Sequence, residues 1–278
     1  MPLSKQEIHQ QELLALFRDL VTVGDGARLR EYLATFSELP GRRANLELAW
    51  AYGELVELYA RQIPDRLWAF CADLTALSPP EAPVDSPEEY LPFCGAIGLG
   101  SLGAAMPEYF EEALAVLKRL AADSRWRMRE AVCFGLQRLL KKRPYEVLNV
   151  LQTWIGNEGV FQQRAALTAL AAPELLADEA LAHQALELHK CVVDRIPHMG
   201  DIPAADFRVL RKALGYTVSV VISAIPEEGF KWLMAIAASS NRDVRWIVKE
   251  NLKKNRLVQS FPKEVEAIKI VLFKERDD

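Results

Sequence analysis

The side chains that could do chemistry in this chain fall into four groups. In the C-terminal half stand His183, His189, Asp194 and His198, residue types that ligate zinc when their spacing aims them at one point. His183 and His189 are six residues apart and so point to different faces of a helix, while His198 lies across a proline. That spacing predicts a solvated helix end and no metal site. Glycines 95, 98, 100 and 103 form the second group. A phosphate-cradling loop would need them between a strand and a helix, and no strand pattern precedes them, so they read as points of close helix packing. The third group is Cys71, Cys94, Cys133 and Cys191, widely spaced, without a CxxC pair and in apolar segments. Buried, reduced thiols are expected rather than a disulfide framework.

The fourth group is basic charge interleaved with aromatic rings. From Lys118 to Arg143 nine basic residues stand against Asp123 and Glu130, with Trp126 among them. From Arg242 to Arg256 six stand against two, around Trp246. Such runs suit a phosphate backbone or another anionic surface. They equally suit arginines that pair with loop aspartates, and a basic helix C-terminus at Lys141, Lys142 and Arg143. The net charge of −4 conceals an asymmetry in the same direction. Residues 1–120 carry 10 basic and 18 acidic side chains, a net of −8, and residues 121–278 carry 24 and 20, a net of +4. The C-terminal half is the better match for an anionic partner.

The elements that must position these groups repeat. Proline precedes a helical apolar pattern at Pro64, Pro107, Pro144, Pro226 and Pro262, with separations of 43, 37, 82 and 36 residues, and 82 is close to two units of the same length. Proline suits the first helical position, and the acidic residues that often follow suit the positive end of the helix dipole. A second motif recurs on the other helix of each pair. Met128-Arg-Glu-Ala-Val-Cys-Phe-Gly-Leu136 aligns without a gap on Val244-Arg-Trp-Ile-Val-Lys-Glu-Asn-Leu252, and Gln163-Arg-Ala-Ala-Leu-Thr-Ala-Leu170 is a looser copy. Asp123, Asn157 and Asp243 stand before these arginines, as turn or N-cap types would.

The periodicity predicts an all-α chain. A first helix spans 4–20, and six pairs follow: 26–37 with 42–61, 64–76 with 87–104, 107–121 with 124–142, 144–155 with 159–171, 179–195 with 204–223, and 226–238 with 241–254. Helix 262–274 caps the stack. The β-branched run Thr217 to Ile222 reads as a buried helix. Proline-rich Ser78 to Pro87, and Asp194 to Ala205 with Pro197, Gly200 and Pro203, read as surface loops.

An aspartate before the second helix and an arginine inside it is the pattern by which HEAT repeats are known, and the chain resembles that family over most of its length. The resemblance implies an α-solenoid of about six HEAT-like pairs, one domain over 1–278, with second helices lining a concave face. Residues 120–172, with Asp123-Ser-Arg-Trp-Arg-Met-Arg-Glu-Ala-Val132, Tyr145 to Trp154 and Gln163-Arg-Ala-Ala-Leu167, are similar to repeats of the HEAT-like DNA alkylation repair family. Its members are alkylpurine glycosylases or noncatalytic relatives that cradle DNA in a basic groove. The glycosylases carry an aspartate shortly after a tryptophan on an inner helix. Here Trp50 is followed by Glu54 instead, so no catalytic residue is carried over.

The expectation is therefore a noncatalytic scaffold that offers its concave face to a protein or a nucleic acid. Its contacts are expected at Trp126, Arg127, Arg129, Arg164, Arg245, Trp246 and Lys249, without cofactor or metal. The alternative is a DNA-binding protein or an alkylpurine DNA glycosylase. With 50% apolar and 26% charged residues, and no window approaching the roughly 18 to 20 apolar residues of a membrane span, a cytoplasmic protein without a membrane partner is expected.

Overall fold

The computed structural model describes residues 4–200 and 202–274. Among them there is no strand, and fifteen α-helices and three short 3-10 turns carry the chain. No described helix is long and apolar enough to cross a membrane. The helices gather into two compact units that divide between Pro144 and Tyr145.

The first unit holds α1 (Lys5–Thr22), α2 (Ala27–Thr35), α3 (Leu46–Tyr59), α4 (Pro64–Ala76), α5 (Tyr90–Ala105), α6 (Phe110–Leu120) and α7 (Trp126–Lys142). Helix α5 is apolar all round, and every residue from Tyr90 to Ala104 is buried. A helix of that kind has to be covered on all sides, and α2, α3, α4, α6 and α7 all touch it. Its glycines make this possible. A Cβ on Gly100 would land on the backbone of Gly135 in α7, one on Gly95 would meet Cys71 and Thr75 of α4, and one on Gly103 would meet Ala113 of α6. Helices pack closest where neither carries a side chain.

The second unit holds α8 (Pro144–Asn157), α9 (Val160–Leu170), α10 (Glu179–Arg195), α11 (Ala204–Ala224), α12 (Pro226–Ala237), α13 (Arg242–Asn251), α14 (Asn255–Ser260) and α15 (Pro262–Lys274). Helix α11, which contains the β-branched run, touches α9, α10, α12, α13 and α14. Asn251 of α13 is wholly buried against it, donating to the carbonyls of Leu214 and Ile247 at 2.8 Å each and accepting from the Ser219 amide at 2.8 Å.

All fourteen expected helices form, with ends displaced by up to four residues. Three local expectations need correction. Residues 241–254 were expected as one helix, but α13 stops at Asn251 and the six-residue α14 follows. Asp123 makes the turn before α7, its Oδ1 accepting from the Arg125 amide at 2.8 Å, but Asn157 ends α8 and Asp243 lies inside α13, and the N-caps are Arg125, Gly159 and Asn241. Asn241 does the capping of α13, accepting from the amides of Asp243 and Val244 at 2.9 and 3.2 Å, which leaves the Asp243 carboxylate to Arg211. The segment 194–205 is also more regular than a loop: α10 runs to Arg195, a 3-10 turn spans Ile196–His198, and α11 starts at Ala204. Asp201 lies outside the described residues.

Two measurements follow from this packing. Gly100→Ala forces α5 and α7 apart and is expected to cost about 2 to 3 kcal/mol. Gly156→Ala in α8, where nothing lies within 4 Å, is expected to be neutral or to stabilise by up to about 1 kcal/mol; urea unfolding of both variants checks the contrast. His189 is fully buried, its Nδ1 donates to the Ala185 carbonyl at 2.7 Å, and burial pushes its pKa down to about 4. The unfolded chain takes up this proton near pH 6.5 and the folded chain does not, so stability falls as pH drops from about 6.5 toward 4. By pH 4.5 the loss is about 2 to 3 kcal/mol relative to His189→Leu, read by unfolding both proteins at pH 7 and pH 4.5.

Candidate interaction surface

In the first unit, the start of α7 follows an aspartate turn, and its arginines fan out toward the chain that precedes them. Arg125, 2% exposed, pairs bidentately with Asp123, Nε and Nη2 at 3.0 and 2.8 Å, and donates to the Ala82 carbonyl at 3.2 Å. Arg127, 3% exposed, donates to Glu89 at 2.8 Å, to Asp85 at 3.0 Å and to the Gly41 carbonyl at 2.5 Å. Arg129 donates to the carbonyls of Asp123 and Ser124 at 2.6 and 3.0 Å.

These bonds fasten the proline-rich segment and the turn at Gly41 to α7. Glu89 is wholly buried, and its Oε2 also accepts from the Asp85 amide at 2.8 Å. Asp85 holds a left-handed backbone, φ 66°, which aspartate tolerates better than most residues. The segment Ser78 to Pro87, expected at the surface, is thus anchored along one side, with Ala82 buried within it and Glu89 buried just beyond.

Of the predicted contacts on α7, Trp126 is the exposed one, at 45%. The Arg127 guanidinium lies 4.4 Å from its ring centre. The ring borders a small cavity of about 170 Å³ with Leu46, Phe93, Phe134, Arg43 and Glu130. Arg164, in α9 of the second unit, is buried at 6% exposure, so it offers little surface to a ligand.

Trp50 and Glu54 do not form an open pair. The Trp50 ring meets Phe134 edge-on at 4.8 Å, Arg138 lies 5.6 Å from its centre and donates to its carbonyl at 3.1 Å, and Glu54 accepts from Gln6 at 2.9 Å. The histidines also go separate ways. His183 faces Glu228 at 3.3 Å and Glu179 at 3.7 Å, whereas His189 is buried. No group of three or more metal-ligating side chains converges among the described residues. Cys71, Cys94 and Cys133 are buried, and burial pushes the Cys71 thiol up to about 12 beside the Tyr52 hydroxyl at 3.1 Å. Cys191 corrects the expectation, because it is exposed.

In the second unit the structure brings three predicted residues together. Arg245, Trp246 and Lys249 line one cleft of about 450 Å³ with Ser240, Arg242, Leu272 and Phe273, between α13 and α15. Positions 242, 245, 246 and 249 share one face of a helix. Arg211 stacks 4.5 Å from the Trp246 ring centre while pairing with Asp243, and the edge of the indole rests on Gly215. Arg245 donates to the Leu272 carbonyl at 2.5 Å, near the end of α15, where a cation suits the helix dipole. The Arg242 side chain is 96% exposed, and Lys249 is exposed. Arg242, which opens the basic run, and Phe273 line the cleft but were not among the expected contacts. The i, i+3, i+4, i+7 spacing would have found the arginine, but no local signal ties the phenylalanine to α13.

The arginines therefore divide by burial, and mutation should separate them. Arg127→Met leaves the buried Glu89 carboxylate without its cation and is expected to destabilise by about 3 to 5 kcal/mol. Arg242→Ala changes an exposed side chain and is expected to cost less than about 0.5 kcal/mol. Thermal or urea unfolding of the two variants tests the division.

A scan against protein-family models finds no match, and no curated protein matches the chain. Among solved structures, the crystal structure of an engineered protein is similar at 13% identity and a TM-score of 0.32, over 86% of this chain and 96% of that one.

Proposed function

We propose that this chain is a noncatalytic binding scaffold built as a HEAT-like α-solenoid, and that it engages an anionic segment of a macromolecular partner. Support for the repeat reading comes from neighbouring second helices. In the first unit α5 lies against both α3 and α7, and in the second α11 lies against both α9 and α13, as stacked pairs require. A cytoplasmic setting agrees with four cysteines that form no disulfide.

The observation that carries the proposal is the cleft on α13, where Arg242, Arg245 and Lys249 gather around Trp246 and Phe273. The chain as a whole is acidic, with a net charge of −4. A local cationic patch on such a chain attracts an anion at close range without making the whole molecule a polyanion binder. The resemblance of residues 120–172 to the alkylation repair family makes duplex DNA one such anion.

Heparin-affinity chromatography supplies a generic polyanion. The wild type is expected to elute at higher salt than the doubly substituted Arg242→Glu/Lys249→Glu protein, with unchanged helicity by circular dichroism. Identical elution would remove the cleft from the account. Release of a methylated base from duplex DNA would replace the scaffold by a glycosylase.

A further inference from the structure

The cleft on α13 is more than a cluster of charge, and its apolar half narrows the partner. Leu272 forms part of its wall and Phe273, 47% exposed, its rim. An exposed aromatic ring at the rim of a cleft that also holds a tryptophan and a leucine offers apolar area next to charge. Trp246, Leu272 and Phe273 make an apolar ledge in the cleft, bordered on the α13 side by Arg242 and Lys249. Those two lie seven residues apart, about 10 Å along the helix axis.

Three features weigh against a nucleic acid as the occupant. Tight binding to a phosphate backbone draws on about 6 to 10 phosphate contacts, whereas this cleft is lined by three cations, of which Arg245 already serves the Leu272 carbonyl. Single-strand binding stacks successive bases on a series of aromatic rings, whereas this cleft holds Trp246, with one face taken by Arg211, and Phe273. Nucleic acid also gains little from the aliphatic bulk of Leu272 in the cleft wall. An amphipathic helix gains from both halves, its apolar i, i+3, i+4 and i+7 side chains on the ledge and its acidic flank on the cations.

We infer that the α13–α15 cleft docks an acidic amphipathic helix of a protein partner, through Arg242 and Lys249 for charge and Trp246 and Phe273 for the apolar face. This rests on the reading of the cleft as an anion-binding surface and adds the class of ligand.

The test uses the full chain and three fluorescein-labelled probes followed by anisotropy. One is a 14-residue peptide with Leu at i, i+3, i+4 and i+7, Glu at three positions on one flank and Ala elsewhere, the second is the same peptide with Ala for Leu, and the third is a 20-nucleotide single-stranded DNA. The Leu peptide is expected to bind about tenfold or more tightly than the Ala peptide and to weaken with salt. Arg242→Glu/Lys249→Glu and Phe273→Ala should each weaken it by about fivefold or more, and both alter exposed side chains, so the fold is retained. Equal binding of the two peptides, or no binding of the Leu peptide, overturns the inference. If the DNA binds more tightly than the Leu peptide and loses affinity in the charge-reversed protein, the inference falls while the anionic-partner reading stands. If the charge reversal alters neither these probes nor heparin elution, that reading falls as well.

Discussion

The approach of α5 to α7 across Gly100 and Gly135 is the constraint on which the first unit depends. Because α5 exposes no side chain from Tyr90 to Ala104, the elements around it have no freedom to rotate a polar face inward, and each has to bring small residues or apolar stubs to its surface. That requirement decides where α7 sits, and so where the fan of arginines at its N-terminus falls. Arg125 and Arg127 can reach Ala82, Asp85, Glu89 and Gly41 only because α7 is held at backbone contact. Packing of glycine on glycine thus precedes the electrostatics and makes it possible.

Arginine does two jobs in this protein, and burial tells them apart. Arg125 and Arg127 are desolvated, multiply bonded and matched by carboxylates, so their contribution is to hold the connecting chain in a single arrangement. Arg242 keeps its guanidinium in water, where a pair with Asp243 at 3.9 Å is worth little and a ligand can compete for it. Arg245 stands between these cases, tied to a helix end yet lining the cleft. Type and spacing are the same at Arg129 and Arg245, since the two motifs align without a gap, but the surroundings differ because a long proline-rich segment covers the start of α7 and nothing comparable is seen at α13 among the described residues.

That difference shows how far the sequence could be read. Proline starts and apolar periodicity placed the helices because both are local: Pro64 opens α4 and Pro262 opens α15 exactly where a missing amide costs nothing. The glycine cluster was legible as packing because no strand preceded it, although its partner Gly135 was not, since helix-to-helix registry is a long-range property. The choice between ladder arginines and binding arginines could not be made from spacing alone. It turns on which loop lies over which side chain, and Arg127 meets Gly41 across 86 residues of sequence. The same holds for Phe273, whose place beside Trp246 follows α14 (Asn255–Ser260), a short helix in the stretch between 254 and 262 to which the apolar pattern assigned no element.

The central claim is that an anionic ligand is received at α13 and α15, and hydrogen–deuterium exchange of the full chain with and without polyglutamate addresses it most directly. The account predicts slowed exchange concentrated in residues 240–249 and 268–273. Protection centred instead on α7 around Trp126 and Arg129, or none at low salt, would contradict it.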